Sequence, residues 1–127
     1  MIDKVIDASV VLASLFGEPG GLEAEELSAD YAISTVNLSE VVAKLVDRGW
    51  SDAAADALAD DLGMTVVPFD AGLARDAGKL RRTTRSHGLS LGDRACLALA
   101  RREGVPALTA DRAWQKADTG VKIEVIR

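Results

Sequence analysis

"KVIDASVVLASL", residues 4–15, places Asp7 where a short β-branched run gives way to a segment of helical period. Val5 and Ile6 suit a strand, whereas the apolar positions that follow recur at helix spacing. A charge at that junction has two physical explanations. It caps the helix that follows, or it belongs to a site beyond the carboxyl end of a buried strand.

The same alternation continues along the chain. Strands are predicted at residues 5–6, 31–33, 65–67, 107–109 and 122–126, and helices at 9–16, 22–27, 37–48, 52–62, 71–84, 91–103 and 112–116. Gly17, Gly49, Gly63 and Gly104 stand at helix ends, where a left-handed C′ residue is commonly needed. Alternating strands and helices indicate an α/β layer structure around a mostly parallel sheet. In such sheets ligands bind beyond the strand carboxyl ends, where the strand order reverses. Asp7 follows the first strand and Asp111 follows "PALTA", the fourth. With those two strands adjacent at the sheet centre, both carboxylates face one crevice, an arrangement compatible with short right-handed crossovers.

Length and composition bound the rest. A chain of 127 residues, 48 % apolar and 28 % charged, predicts one globular domain over residues 1–127. No apolar run approaches the roughly 20 residues of a membrane span, and the N-terminus lacks the pattern of a signal peptide. Cytoplasmic localisation and no membrane association are expected. One cysteine, Cys96, excludes an internal disulfide and a cysteine-rich zinc site. The net charge of −5 argues against binding nucleic acid through a globally positive field, while leaving room for a local basic surface or an acidic metal pocket.

Two further acids follow strand ends at a distance. In "VNLSEVVAKL" Glu40 lies three residues after Asn37, and in "LSLGDRACLALA" Asp93 lies three after Ser90; each fits a capping box. Asp7 and Asp111 also suit N-caps. Capping explains each acid singly. Jointly, all four fall at one edge of a parallel sheet, where they would repel one another and raise their own pKa values unless a cation offset them. Oxygen ligands of this kind suit Mg²⁺ or Mn²⁺, and such ions promote phosphodiester hydrolysis. Helix N-termini help keep the acids ionised, so capping and catalysis are compatible.

"VIDASVVLASL", "NLSEVVAKL", "LSLGDRACLALA" and "ALTADRAW" occur in that order across nearly the whole chain. Together they resemble the PIN-domain ribonucleases, most closely the VapC-like toxins of type II toxin–antitoxin pairs. The resemblance implies a three-layer sandwich: a central five-stranded parallel sheet with helices on both faces. It also implies a Mg²⁺- or Mn²⁺-dependent endoribonuclease whose metal ligands and catalytic residues are Asp7, Glu40, Asp93 and Asp111. Ser9 and Thr109 match the small hydroxyl residues that accompany the acids, with Asn37 in a similar supporting role or as a cap. The implied partners are an RNA substrate and an inhibitory antitoxin, and the implied assembly is a homodimer.

Other features have plainer accounts beside functional ones. "ARDAGKLRRTTRSHGLS" gathers Arg75, Lys79, Arg81, Arg82, Arg85 and His87 just before Asp93. Arg81, Arg82 and Arg85 are candidates for RNA phosphate contact; the alternative is a solvated helix face. Cys96, Trp50 and Trp114 suit packing better than chemistry, and a shuttle role for His87 is not required. Asp118 lies near the fourth acid in sequence. Gly20-Gly21 reads as a flexible turn before an amphipathic segment whose Leu22 and Leu27 either line a groove for an antitoxin helix or cover the core. A haloacid-dehalogenase-like phosphatase would want an acid where Ser9 stands. A receiver domain would want an early acidic pair; Asp70 follows the third strand, but Glu40 and Asp93 would go unexplained. A PIN-like module that binds RNA or protein without cutting is the alternative from another class.

Overall fold

The computed structural model describes residues 1–22 and 26–126. Five parallel strands form one sheet: β1 (Lys4–Ile6), β2 (Tyr31–Ser34), β3 (Thr65–Val67), β4 (Ala107–Thr109) and β5 (Ile123–Val125). Their order is β3-β2-β1-β4-β5, so β1 is central and the order reverses between β1 and β4. Val5 faces Ala107 and Ile6 faces Leu108 across that pair. The expected adjacency of the first and fourth strands is present.

Strand alternation sends neighbouring side chains to opposite faces. Val5, Ala32 and Ala107 pack with Leu73, Ala77 and the buried face of a long helix; Ile6, Ile33 and Leu108 pack with Val10, Val11, Val41 and Leu45. Complete burial of an Ile or Leu contributes roughly 1.5–3 kcal/mol, so each face has its own apolar core. Helices α1 (Ala8–Phe16), α2 (Thr35–Asp47) and α3 (Asp52–Asp61) supply the second core, while α4 (Ala71–Lys79) and α6 (Leu91–Glu103) supply the first. Between the latter two lies α5 (Arg81–Thr84). This is the expected three-layer α/β sandwich.

Several boundaries differ from expectation. One helix was expected over 71–84, but it breaks at Leu80 into α4 and α5, and Arg85–His87 continues as a 3₁₀ turn. Leu80 is buried, and its carbonyl accepts the Thr84 hydroxyl at 2.7 Å, so the break is anchored by packing and a side-chain bond. Residues 112–116 form a 3₁₀ turn, Arg112–Lys116. The Gly20-Gly21 turn is close-packed: a Cβ on Gly21 would lie 2.5 Å from the Ser14 nitrogen, and one on Gly20 would lie 2.6 Å from the Ile126 carbonyl oxygen. The helix expected over 22–27 lies partly outside the described residues, but Leu22 and Leu27 pack against the second core. Cys96 and Trp114 are buried as expected, whereas Trp50 remains 38 % exposed.

Candidate active site

Asp7 occupies the N-cap position of α1, yet its side chain makes no capping bond. Its backbone N–H still joins the sheet, donating to the Leu108 carbonyl at 2.9 Å. The carboxylate turns the other way. Oδ2 accepts the Ser9 hydroxyl at 2.6 Å and the Thr109 hydroxyl at 3.1 Å. Ser9 Oγ in turn accepts the Ala110 N–H at 3.1 Å, and Thr109 Oγ1 accepts the Asp111 N–H at 3.1 Å. The end of β1 and the end of β4 are thereby tied together through two hydroxyls. The carboxylate therefore does not cap α1: it is turned toward the Ser9 and Thr109 hydroxyls instead of the helix N–H groups.

Glu40 and Asn37 also depart from the capping expectation. Strand β2 extends to Ser34, whose hydroxyl caps α2 by accepting the Val36 N–H at 3.2 Å. Asn37 therefore lies inside the first turn, fully buried, and its amide points at α6 instead. Nδ2 donates to Glu40 Oε1 at 2.8 Å and to the Gly92 carbonyl at 3.0 Å. Glu40 lies against Gly92: a Cβ there would come within 2.6 Å of Oε2. Glycine is a poor helix residue; here it makes room for a carboxylate at a helix N-terminus, where partial positive charge favours an anion.

For Asp93 and Asp111 the caps are present. Ser90 Oγ accepts the Asp93 N–H at 3.2 Å and Asp93 Oδ2 accepts the Ser90 N–H at 2.9 Å, completing the capping box of α6. Asp111 Oδ1 accepts the Ala113 N–H at 2.9 Å. Each keeps a second carboxylate oxygen outside these bonds.

The electrostatics link the acids. Burial, opposed by the Ser9 and Thr109 hydrogen bonds and reinforced by the charges of Asp93 and Glu40, raises the Asp7 pKa to about 6. Asp93 is also raised, first by burial and further by Asp111, against its bonds to Ser90. Cys96, buried beneath them on α6, is pushed well up by burial and by Asp7, Asp93 and Glu40. The charges of Asp93 and Glu40 thus reach Asp7, and that of Asp111 reaches Asp93, at the switch point of the sheet. Among the described residues, no group of three or more acidic, histidine or cysteine side chains is arranged to hold a metal ion. An open acidic centre of this type suits a hard cation that retains several waters better than it suits zinc.

Arg94, the residue after Asp93, was not anticipated. Its Nη1 donates to the Ala77 carbonyl at 3.0 Å, its Nε is buried with no partner among the described residues, and burial lowers its pKa. The Asp93-Arg94 pair in "GDRA" and the glycine inside a helical pattern were the available sequence signals. Of the expected basic residues, Arg81 adds charge near Arg94, while Arg82 and Arg85 line an adjoining exposed cleft. His87 is half-buried in the 3₁₀ turn, and Asp118 borders a basic cleft.

The PIN domain family model matches residues 4–120. The chain belongs to the PIN domain family. Solved structures of PIN proteins from toxin–antitoxin systems share its fold. The DNA-bound VapBC of Salmonella typhimurium superposes with a TM-score of 0.73 at 18 % identity, covering 98 % of each chain. VapC20 of Mycobacterium tuberculosis, a sarcin–ricin-loop-cleaving toxin, gives 0.71 at 22 % identity over 94 % of this chain and 99 % of that one. VapBC-5 of the same organism gives 0.65 at 25 % identity, covering 100 % and 99 %. No curated protein sequence matches. Among the described residues, no helix of this PIN domain is long and apolar enough to cross a membrane.

Proposed function

We propose that this PIN domain is a toxin-type, metal-dependent endoribonuclease that hydrolyses RNA phosphodiester bonds. The observation that carries the reading is the buried Asp7 carboxylate at the switch point between β1 and β4, tied to Thr109 and lying within reach of the charges of Asp93 and Glu40. Such a cluster is costly without a cation, and PIN nucleases of the VapC type generally use a divalent metal. Asp7, Glu40, Asp93 and Asp111 would hold Mg²⁺ or Mn²⁺, which when bound supplies an activated water and charge stabilisation at the leaving oxygen.

The chain's own groups do the positioning. Ser9 and Thr109 fix the Asp7 carboxylate. Asn37 fixes Glu40 against α6, and the Ser90 capping box fixes Asp93. Arg81, Arg82 and Arg85 offer cations to RNA phosphates. A cognate antitoxin that covers the site, and a homodimer as the assembly, complete the reading; the antitoxin is supported by the toxin–antitoxin complexes whose fold the chain shares, and the homodimer by the family resemblance.

The test is cleavage of a mixed RNA pool by purified protein with Mg²⁺ or Mn²⁺ and with EDTA, alongside Asp93→Asn. Metal-dependent cleavage that disappears in a folded variant is the expected result. A variant that cuts as well as wild type would return Asp93 to the role of a helix cap. Metal-independent RNA binding without cutting, across RNAs of many sequences and structures, would favour the non-catalytic module.

A further inference from the structure

We propose that the cleft between the end of α4, α5 and the loop before β5 grips the sugar–phosphate backbone of the substrate RNA, away from the bond that is cut. The proposal rests on the ribonuclease reading and adds a second contact region to it. The cleft encloses about 370 Å³ and is lined by Lys79, Arg82, Thr83, Arg101, Asp118 and Thr119, among others. Three cations thus face one carboxylate in a chain whose net charge is −5. Arg101 follows Asp93 by two turns of α6, about 12 Å along the axis at 1.5 Å per residue. That separation makes the cleft a different place from the acidic centre, yet within the reach of one bound strand.

The cleft is not isolated. Lys79 and Arg82 also border a neighbouring cleft of about 480 Å³ lined by Arg81, Arg85 and Ser86. Arg81 acts electrostatically on Arg94, which in turn adjoins Asp93. A basic path therefore runs from the acids, past Arg94 and Arg81, to Lys79, Arg82 and Arg101. Among the described residues, none of Lys79, Arg81, Arg82, Arg85 and Arg101 forms an ion pair, whereas Lys4, Arg48, Arg102 and Lys122 each face a carboxylate within 4.0 Å. Clustered cations without carboxylate partners repel one another; a polyanion offsets that repulsion, and its own condensed counterions are released. Among the described residues, no aromatic side chain lines either cleft, so the lining offers bases no stacking platform. Contacts to phosphates position a strand without reading its sequence.

The experiment measures binding of a labelled, random-sequence single-stranded RNA to the full chain in EDTA over a series of salt concentrations. Wild type is compared with Lys79→Ala/Arg101→Ala, with Asp118→Asn, and with the charge-matched control Lys4→Ala/Lys122→Ala, whose cations already face Glu124. Circular dichroism checks that each variant is folded. The expected result is several-fold weaker binding by Lys79→Ala/Arg101→Ala, with the slope of log K against log salt reduced by about 1.4, or about 0.7 per lost contact. Asp118→Asn binds more tightly and the control is unchanged. If Lys79→Ala/Arg101→Ala keeps the wild-type affinity and slope, or falls only as far as the control, the cleft assignment is overturned while the ribonuclease reading stands. If wild type binds no RNA and also cuts none with metal, both fall together.

Discussion

The Glu40 carboxylate rests on the backbone of Gly92, with no space for a Cβ between them. Two helices from different parts of the chain, α2 and α6, meet there with a charge at the junction, and Asn37 bonds to both sides of it. Gly92→Ala should therefore displace Glu40 while leaving the fold intact, because alanine is the better helix residue by about 1 kcal/mol. Under the ribonuclease reading, metal-dependent cleavage should fall roughly 10–100-fold, the scale of a lost supporting contact at a metal site. Mn²⁺ affinity measured by calorimetry should weaken with it. Shortening the acid with Glu40→Asp in the Gly92→Ala background should recover part of the affinity. Unchanged Mn²⁺ binding by Gly92→Ala would mean that the position of Glu40 against α6 is immaterial.

Thr109 serves two acids at once, donating to Asp7 Oδ2 and accepting from the Asp111 N–H. Thr109→Val keeps the shape and removes both bonds. The buried Asp7 carboxylate loses one of its two hydroxyl donors, and the Asp111 N–H loses its acceptor. An unsatisfied buried polar group costs about 1–3 kcal/mol, so denaturant unfolding should show a loss in that range. Thr109→Ser should restore stability and activity together, since it returns the hydroxyl. Should Thr109→Ser behave like Thr109→Val, the methyl group and not the hydroxyl is what the site needs.

Trp114 is fully buried on the short turn after Asp111, and its indole Nε1 has no hydrogen-bond partner among the described residues. The ring is held by packing with the α6 core. Trp114→Ala should cost roughly 3–5 kcal/mol, as expected for deleting a large buried aromatic. Trp114→Phe should cost much less, because no hydrogen bond is given up. Comparable losses in the two variants, measured by urea unfolding, would show that the indole N–H is engaged after all.

The layer order and the place of the site were legible because they depend on patterns that survive in sequence. "KVIDASVV" and "PALTAD" each show a β-branched or apolar run broken by an acid, and both runs became central strands. The capping box at Ser90 and Asp93 was legible for the same reason, its partners being three residues apart. What sequence could not give was the direction in which a side chain turns. Asp7 stands at an N-cap but bonds to Thr109, 102 residues away. Asn37 missed its cap because β2 runs one residue further, leaving Ser34 the better-placed hydroxyl. The Gly20-Gly21 pair looked like slack and is a point of close approach, a property set by Ser14 and Ile126 and invisible locally.

Asp7 makes a final prediction, about pH. Its folded pKa of about 6 lies above the ordinary 3.8, so the folded chain binds this proton more tightly than the unfolded chain does. The contribution to stability is then fully present below about 3.8 and is lost as pH rises through about 6. The difference corresponds to on the order of 3 kcal/mol at alkaline pH. In EDTA, Asp7→Asn should be more stable than wild type at pH 8, and the advantage should shrink steadily as pH falls below 6. Adding Mg²⁺ should raise the melting temperature of wild type more at pH 8 than at pH 5, because a cation stabilises the ionised carboxylate, and should do little for Asp7→Asn. Melting curves of the two proteins at several pH values, with and without Mg²⁺, check each part. A pH-independent gap between them would mean that Asp7 is already ionised without metal and that burial does not hold its proton.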